Sequence, residues 1–186
     1  MASILKVDTI QDQSGNNIIN ESSDTITIGA SGDTITVPTG ASMTGQNYPA
    51  WKVTQNTAQT WADGTVAKVD FDTEVFDTDN AYDTTNKRFV VPTNRAGKYF
   101  SYAQIFCAGA DGERFTIQMR VNGSTVNETL ITGQSADGGS SYVATTILDL
   151  SESDYLEIYF RNDTGTSQTN NNSADLTYFM GYRIGA

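Results

Sequence analysis

The densest group of side chains that could do chemistry is an acidic run that contains Asp70, Asp72, Glu74, Asp77 and Asp79. Glycoside hydrolysis uses paired carboxylates, so the run supplies candidate catalytic residues. A solvated strand and loop rim on an acidic protein explains the same residues more simply, and the chain is short for a solenoid with a substrate groove. We therefore predict that the protein is not an enzyme and has no catalytic residues.

The end of this run, Asp77-Thr-Asp79-Asn80 followed by Asp83, places several oxygen ligands within one loop. It lacks the glycine and the distal glutamate of an EF-hand loop. An Asx-rich turn accounts for the same residue types. We predict no metal ion and no other cofactor, and a calcium ion in this loop remains the open alternative.

The sequence contains no histidine and a single cysteine, Cys107. The absence of histidine removes the usual general base, the usual zinc ligand and every Ser-His or Cys-His arrangement. Cys107 lies within an apolar run and has no cationic neighbour in sequence, so we predict a buried, structural thiol.

Acidic residues outnumber basic ones by 22 to 11, which gives a net charge of −11. Such a surface repels phosphate backbones, so nucleic acid is not an expected partner. No apolar run approaches the roughly 20 residues of a membrane-spanning helix, and the N-terminus has no apolar core of signal-peptide length. We expect no membrane partner and no secretion.

Polar and apolar residues alternate along much of the chain, as in Phe115, Ile117 and Met119 against Thr116 and Gln118. This period indicates strands with one buried face, and the dipeptide Asn122-Gly123 indicates a hairpin. No segment has a helical pattern, so an all-β antiparallel sandwich or jelly roll is predicted. The predicted strands lie near 64–71, 87–92, 97–107, 113–122, 124–132, 140–150, 154–161 and 176–184.

The first 50 residues differ because their apolar side chains are too sparse for a core of their own. Within them, Asp24-Thr-Ile-Thr-Ile-Gly29 recurs as Asp33-Thr-Ile-Thr-Val-Pro38. Each copy alternates polar and β-branched residues, so each is predicted to be a short strand, with a turn between them. An ordinary hairpin and an intertwined or surface-laid arm are both open. The predicted organisation is an extended N-terminal β arm at 1–37, a linker at 38–50 and a jelly-roll head at 51–186.

Several residues of the head, in order, resemble the globular domain of complement first-component q. Phe71, Asp77, Tyr82 and Phe89 match the opening of that family's motif, and Gly97-Lys-Tyr99-Phe100-Ser101 matches its Gly-x-Tyr-x-Phe segment. The segments 153–159 and 178–184 resemble its late and closing strands. The gap between Phe89 and Gly97 is two residues longer than in the family, and Ser101 occupies a phenylalanine position. The resemblance implies the jelly roll shared with tumour necrosis factor and assembly as a homotrimer.

Aromatic residues suggest where such a trimer would form. Tyr155, Tyr159, Tyr178 and Tyr182 belong to the C-terminal strands, and a single copy would expose some of these rings. We predict that these four tyrosines contribute to the subunit interface. The two tryptophans, Trp51 and Trp61, are expected to pack beneath the first strand of the head rather than to stack on a sugar.

The N-terminus, Ala2-Ser-Ile-Leu-Lys6-Val-Asp8-Thr-Ile10 followed by Ser14-Gly-Asn-Asn, resembles the opening of fibre and virion structural proteins of marine phages and cyanophages. The resemblance implies a structural protein on the surface of a tailed-phage virion, assembled in the host cytoplasm. An arm of about 50 residues spans at most about 165–180 Å, which suits lying across a capsomer seam.

The favoured function is therefore a trimeric capsid decoration (cement) protein anchored to the major capsid protein or a tail protein. The alternative is a short tail or head fibre whose head binds a host receptor or cell-surface glycan. The expected attachment residues are the β-branched residues of the arm, Ile4, Val7, Ile10, Ile26, Ile28, Ile35 and Val37. The first three would be buried on a virion protein, and the other four would add to another strand.

Overall fold

The computed structural model describes residues 9–11, 13–15, 17–23, 25–29, 32–36, 38–39, 48–108, 114–132 and 139–185. The chain divides into two compact units, Met1–Gln46 and Asn47–Ala186. Every element in the described ranges is a strand, a turn or a bend, so the predicted all-β class is confirmed. Within these ranges no helix has the length and hydropathy needed to cross a membrane.

The first unit contains a three-stranded antiparallel sheet. Its strands are β1 (Thr9–Gln11), β2 (Asn17–Ser22) and β3 (Thr25–Ile28), in that spatial order. Gly15, at φ +85°, lies in the turn between β1 and β2, and Ser23, at φ +50°, begins the tight turn between β2 and β3. The amide of Gly29 extends the last pairing by donating to the carbonyl of Ile18 at 2.8 Å.

The repeat in the arm does not form two strands. Its first copy is β3, as predicted, but residues 33–36 of the second copy have no strand structure, so that prediction was wrong. The segment Asn17–Ser22, which has no repeat and was not predicted, pairs with β3 instead. Cross-strand pairing of isoleucines at Ile19 and Ile28 gives this register its apolar contact. Among the attachment residues, Ile4, Val7 and Val37 lie outside the described residues.

The second unit, which we call the head, is a sandwich of two antiparallel sheets. Its strands are β4 (Ala50–Thr54), β5 (Thr60–Trp61), β6 (Val66–Lys68), β7 (Thr73–Asp77), β8 (Tyr82–Asp83), β9 (Arg88–Val90), β10 (Gly97–Cys107), β11 (Arg114–Val121), β12 (Ser124–Thr132), β13 (Ser140–Leu150), β14 (Tyr155–Asp163), β15 (Gln168–Asn171) and β16 (Tyr178–Gly185). The first sheet has the order β5-β15-β10-β16-β4-β7, with β13 on the other edge of β10. The second has the order β12-β11-β14-β9-β8, and β6 also pairs with β14.

All eight strands predicted for the head are present, with bounds that match or differ by a few residues. Asn122 and Gly123, both at positive φ, connect β11 to β12 as the predicted hairpin requires. Five strands were not predicted: β4, β5, β7, β8 and β15. They are two to five residues long, and three of them, β5, β7 and β8, are edge strands.

The core lies between the two sheets and is rich in aromatic rings. From the first sheet β10 contributes Tyr99 and Ile105, and from the second sheet β14 contributes Leu156 and Phe160, all fully buried. Both tryptophans are buried as expected, and Trp61 meets Phe160 edge-on at 5.1 Å between ring centroids. Cys107 is also buried, which confirms the structural thiol.

Trp51 occupies the space that two small residues leave open. The register of β10, β16 and β4 aligns Ser101, Gly181 and Trp51 side by side on the core face of the first sheet. The indole lies against Gly181 and stacks on Phe89 of the second sheet, with ring centroids 3.7 Å apart. The serine in place of the family's phenylalanine therefore makes room for a tryptophan from the neighbouring strand.

Gly181→Ala should destabilise the head. The added Cβ would meet the far edge of the Trp51 ring and approach the backbone oxygen of Phe100 to 2.6 Å. Overpacking of this kind costs about 1–3 kcal/mol in a well-packed core. Urea unfolding followed by tryptophan fluorescence should show a lower midpoint at unchanged slope. Gly185→Ala on the same strand is the matched control, because nothing lies within 4 Å of its added Cβ. Equal midpoints for the two variants would contradict this account.

Candidate functional site

The outward side of the first sheet carries a cluster of large apolar side chains. In a strand, alternate residues point to opposite faces, so the residues between the buried ones on β10 and β16 point away from the core. We call this surface the aromatic face and define it by Phe76, Phe100, Tyr102, Ile147, Tyr178, Met180 and Tyr182.

Strand register arranges these side chains in rows across the sheet. One row runs from Phe76 through Lys52 and Met180 to Tyr102, and the next joins Tyr182, Phe100 and Ile147. Tyr178, two residues before Met180 on β16, pairs with Gln104 and therefore lies in the row beyond Tyr102.

The closest ring pairs confirm this packing. Tyr102 and Tyr178 are stacked with centroids 5.6 Å apart, and Phe100 lies 5.4 Å from Tyr182. The ammonium group of Lys52 lies 4.9 Å from the centre of the Tyr178 ring. The rows therefore form one continuous surface rather than scattered apolar residues.

Much of this surface is open to solvent in a single copy. Tyr182 is 50% exposed, Phe76 is 47% exposed and Ile147 is 61% exposed. Contiguous exposed apolar surface of this kind is rare on a monomer and marks an interaction site. Tyrosine, phenylalanine and methionine are also the side chains enriched at the centres of protein interfaces.

The polar atoms of the aromatic face are mostly satisfied within the sheet. The hydroxyl of Tyr102 donates to Oε1 of Gln104 at 2.8 Å, and Nε2 of Gln104 donates to the carbonyl of Leu176 at 3.1 Å. Burial, together with the Tyr178 phenol, raises the pKa of Tyr102 to about 12. The ring is therefore neutral near pH 7 and can be covered by a partner without removing a charge from water.

The outward side of the second sheet is different, because charged groups predominate there, although Leu130 is also exposed on it. Lys68 pairs with Glu157, and Arg161 pairs with Asp163 at 2.7 Å. The guanidinium group of Arg120 lies 3.8 Å from the centre of the Tyr159 ring. The charged groups of this surface are paired within the sheet, and the surface can stay in contact with water.

The four predicted interface tyrosines do not lie together. Tyr178 and Tyr182 are on β16 and belong to the aromatic face. Tyr155 and Tyr159 are on β14 in the other sheet, where Arg88 lies 4.6 Å from the Tyr155 ring and Arg120 covers Tyr159. The structure does not bring the four tyrosines together, because β14 and β16 belong to opposite sheets, and their role at a subunit interface stays a prediction.

Phe76, Phe100, Tyr102, Ile147 and Met180 were missed as site residues. A signal for two of them was present in β10, where apolar residues occupy both the core positions and the intervening Phe100, Tyr102 and Phe106 positions. A strand that is apolar on both faces indicates that both faces are covered. Phe76 and Ile147 are brought to the surface only by strand pairing, which a single sequence does not display.

The acidic run forms turns and an ion pair. Asp77 accepts a hydrogen bond from the amide of Tyr82 at 2.6 Å, and Asp83 accepts from the amide of Asn86 at 2.8 Å. Asp79 pairs with Arg95 at 3.1 Å. Over the described part of the chain, no group of three or more acidic or cysteine side chains has the arrangement needed to hold a metal ion.

Comparison with known proteins identifies the fold of the head. No family model matches this chain, and no curated protein matches its sequence. The solved structure of murine APRIL at pH 5.0 covers 74% of this chain with all of its own length, at a TM-score of 0.57 and 12% identity. The head has the tumour necrosis factor and complement q jelly-roll fold.

Two further solved structures agree with this fold. The globular domain of zebrafish complement 1qA protein aligns over 74% of this chain and 98% of its own, with TM-score 0.51 and 14% identity. Eiger TNF from S. frugiperda aligns over 74% and 93%, with TM-score 0.55 and 14% identity. The predicted jelly roll is thereby confirmed, and identities this low concern the fold alone.

The raised pKa values of three tyrosines predict how the free energy of unfolding responds to alkaline pH. Burial raises the pKa of Tyr99 and of Tyr102 to about 12, and burial followed by the charge of Asp72 raises the pKa of Tyr82 further. An unfolded tyrosine ionises near pH 10, so the folded state retains these protons longer. The stabilisation is complete below about pH 10 and is lost as pH rises from there towards the folded pKa values.

The measurement is tyrosinate absorbance against pH for the native protein and for protein unfolded in urea. The native curve should lag behind the unfolded one above about pH 10, and the free energy of unfolding should fall over the same range. Tyr82→Phe should reduce that fall, because one shifted group is removed. Superimposable native and unfolded curves would show that the three phenols are not held as described.

Proposed function

We propose that this protein is a non-enzymatic structural protein on the surface of a tailed-phage virion, assembled as a homotrimer through the aromatic face. The observation that carries the trimer is the contrast between the two outward faces of the head. One is apolar and half-exposed, and the other is covered by ion pairs and cation–π contacts. Only the first gains by losing its contact with water.

A closed ring of three copies is the arrangement that the resemblance to complement q implies. Cyclic symmetry lets one surface of each copy meet neighbouring copies without leaving an open end. Tyr178 and Tyr182 would then be interface residues together with Phe100 and Tyr102. Tyr155 and Tyr159 would remain on the outside of the trimer, where Arg88 and Arg120 already contact them.

The virion role rests on the N-terminal resemblance and on the arm. The attachment residues that the structure describes, Ile10, Ile26, Ile28 and Ile35, are all exposed in a single chain. Exposed β-branched residues on a small sheet need a partner, and a major capsid or tail protein would provide one. A trimer anchored by three such arms across a capsomer seam would act as a decoration (cement) protein.

The alternative is a short fibre whose head binds a host receptor or glycan. A shallow pocket of the head favours it, with a lining of Asp79, Asn80, Ala81, Tyr82, Asp83, Val90 and Pro92. Carboxylate and amide oxygens there can accept hydrogen bonds from sugar hydroxyls. Labelled antibody against the head would separate the two proposals, since it would decorate capsids in the first case and tails or isolated fibres in the second.

Tyr182→Asp should break the trimer. The carboxylate would be taken from water at the interface, which is costly. Light scattering should give about 60 kDa, three times the 20.1 kDa chain, for the parent protein and about 20 kDa for the variant. Tyr155→Asp on the other sheet is the matched control and should remain trimeric, because Arg88 lies beside that ring. A parent protein of 20 kDa, or a trimeric Tyr182→Asp, would contradict the proposal.

Removal of residues 2–37 should abolish attachment to virions without dissociating the trimer. The arm would be the anchor, whereas the aromatic face belongs to the head. The measurement is occupancy on particles that lack the native protein, by quantitative electrophoresis after sedimentation. The full chain should coat them, and the truncated trimer should remain in the supernatant. Full coating by the truncated protein would make the head the anchor and overturn the role assigned to the arm.

A further inference from the structure

The turn between β11 and β12 contains Asn122-Gly123, the one Asn-Gly dipeptide in the sequence. Both residues are exposed and have positive φ, +50° for Asn122 and +80° for Gly123. A two-residue hairpin requires this conformation, which asparagine and glycine adopt at little cost. The glycine that the turn needs also leaves the asparagine side chain without a bulky neighbour in sequence, so the dipeptide combines a structural role with chemical reactivity.

The reaction open to such a dipeptide is deamidation. The backbone nitrogen of Gly123 attacks Cγ of Asn122, and the new N–C bond closes a cyclic imide. The Cγ–Nδ2 bond breaks, and ammonia leaves with the proton that the Gly123 amide gives up. Water then opens the ring at either carbonyl carbon, which leaves aspartate or isoaspartate at position 122. No electrons are transferred, and water is the co-reactant.

The Asn122 side chain is held in place, because both of its polar atoms are hydrogen-bonded. Nδ2 donates to Oδ1 of Asp154 at 2.7 Å, and Oδ1 accepts from the backbone amide of Tyr155 at 3.0 Å. The backbone amide of Asn122 donates to the carbonyl of Tyr155, also at 3.0 Å. We call these three hydrogen bonds the Asn122 clasp. Attack by Gly123 makes Cγ tetrahedral and swings Nδ2 and Oδ1 out of the amide plane, so it would weaken the first two bonds.

Asp154 is fixed by contacts of its own and cannot follow the asparagine side chain. Its Oδ2 accepts a hydrogen bond from the amide of Ser151 at 2.8 Å, and its backbone amide donates to the carbonyl of Ser151 at 3.1 Å. Its carbonyl accepts from the amide of Val91 at 2.8 Å. The acceptor for Nδ2 is therefore already in position, and leaving the clasp costs Asn122 a hydrogen bond to a charged group, which is one of the stronger kinds.

We propose that Asn122 is a latent deamidation site, which the Asn122 clasp keeps unmodified while the head is folded. The rate of modification would then depend on the fraction of molecules in which the clasp is open. This inference depends neither on the trimer nor on the virion role, because every contact that carries it lies within the head of a single chain.

Deamidation would open the clasp permanently. The product has a carboxylate in place of the amide that donated to Asp154, so two negative charges would face each other where a hydrogen bond had been. Loss of the donor also leaves the Asp154 carboxylate without one of its hydrogen bonds. In isoaspartate the main chain runs through the side-chain carbon, which lengthens a turn that fits two ordinary residues. The turn would no longer be held to the start of β14.

The test compares the rate of deamidation at position 122 in the folded and in the urea-unfolded full chain at mildly alkaline pH. Trypsin releases residues 121–161 as one peptide, because it cleaves after Arg120 and Arg161. Mass spectrometry with fragmentation then locates the modified residue. The folded protein should react at least about tenfold more slowly than the unfolded chain. Equal rates, or no modification at position 122 in the unfolded chain, would overturn the inference.

Asp154→Ala removes the acceptor for Nδ2 and should raise the rate in the folded protein about tenfold, as loss of one charge-assisted hydrogen bond predicts. Glu152→Ala is the matched control, because it removes an equal charge from the same loop, where the Glu152 carboxylate binds the amide of Asn94 instead. The control rate should stay within about twofold of the parent rate. An Asp154→Ala rate no higher than that of the control would contradict the role of the clasp.

Hydrogen exchange in the unaltered protein tests the same point without a variant, and it decides the case in which Asp154→Ala does not fold. The amide of Tyr155 donates to Oδ1 of Asn122, so its exchange reports how often the side chain leaves the clasp. The ratio of unfolded to folded deamidation rates should agree within about threefold with the protection factor of this amide. Slow deamidation beside an unprotected Tyr155 amide would mean that another feature protects Asn122, and the inference would be wrong.

Discussion

The contact between Trp51 and Phe89 is the interaction on which the head depends, because it joins β4 of the first sheet to β9 of the second. The indole can reach that position only where the first sheet has no bulk of its own, and Gly181 and Ser101 supply this space on the two neighbouring positions. Phe179, Tyr99 and Phe89 then surround the ring at centroid distances of 3.7 to 6.5 Å. The same strand register that aligns these core residues also fixes which residues point outward, so the aromatic face is a consequence of the core arrangement.

The two sheets share a core but differ in the side that faces away from it. The outward side of the second sheet is suited to contact with water, because arginine and lysine side chains there lie over tyrosine rings or beside carboxylates. The outward side of the first sheet places rings and aliphatic groups in rows with Lys52 among them, and the row beyond Phe100 and Ile147 pairs Lys98 with Asp149. A soluble sandwich needs only one buried layer, and a second apolar layer on one outer face has no role within a single copy. The association between copies proposed above would cover that layer without any further component.

The sequence predicted the long strands well and the site only in part, for separate physical reasons. Strands β10, β12 and β13 were predicted to the residue because their alternation is long and regular. β15, Gln168–Asn171, carries no apolar pattern and is held by pairing to β5 and β10, which its own residues do not reveal. The tyrosines of β14 and β16 were grouped because they are near in sequence, although strand order sends them to opposite sheets. The second copy of the arm repeat was expected to be a strand that pairs with the first copy. The first copy, β3, pairs with β2 instead, so the alternating pattern of the second copy was not sufficient to make it a strand. Residue type and period thus determine which segments become strands, and pairing determines which strands meet.

Net charge explains why assembly would have to use uncharged surfaces. Three chains of −11 each bring together a total of −33, and this repulsion opposes any compact oligomer. Basic groups such as Lys68, Arg120 and Arg161 are already engaged on the second sheet, so few remain to neutralise a neighbouring copy. Apolar burial does not depend on charge and is roughly proportional to the area removed from water. In the described part of the head, the aromatic face is a surface that concentrates such area. Copies of an acidic chain would therefore gain most by joining through a surface of this kind, where apolar side chains outnumber charged ones.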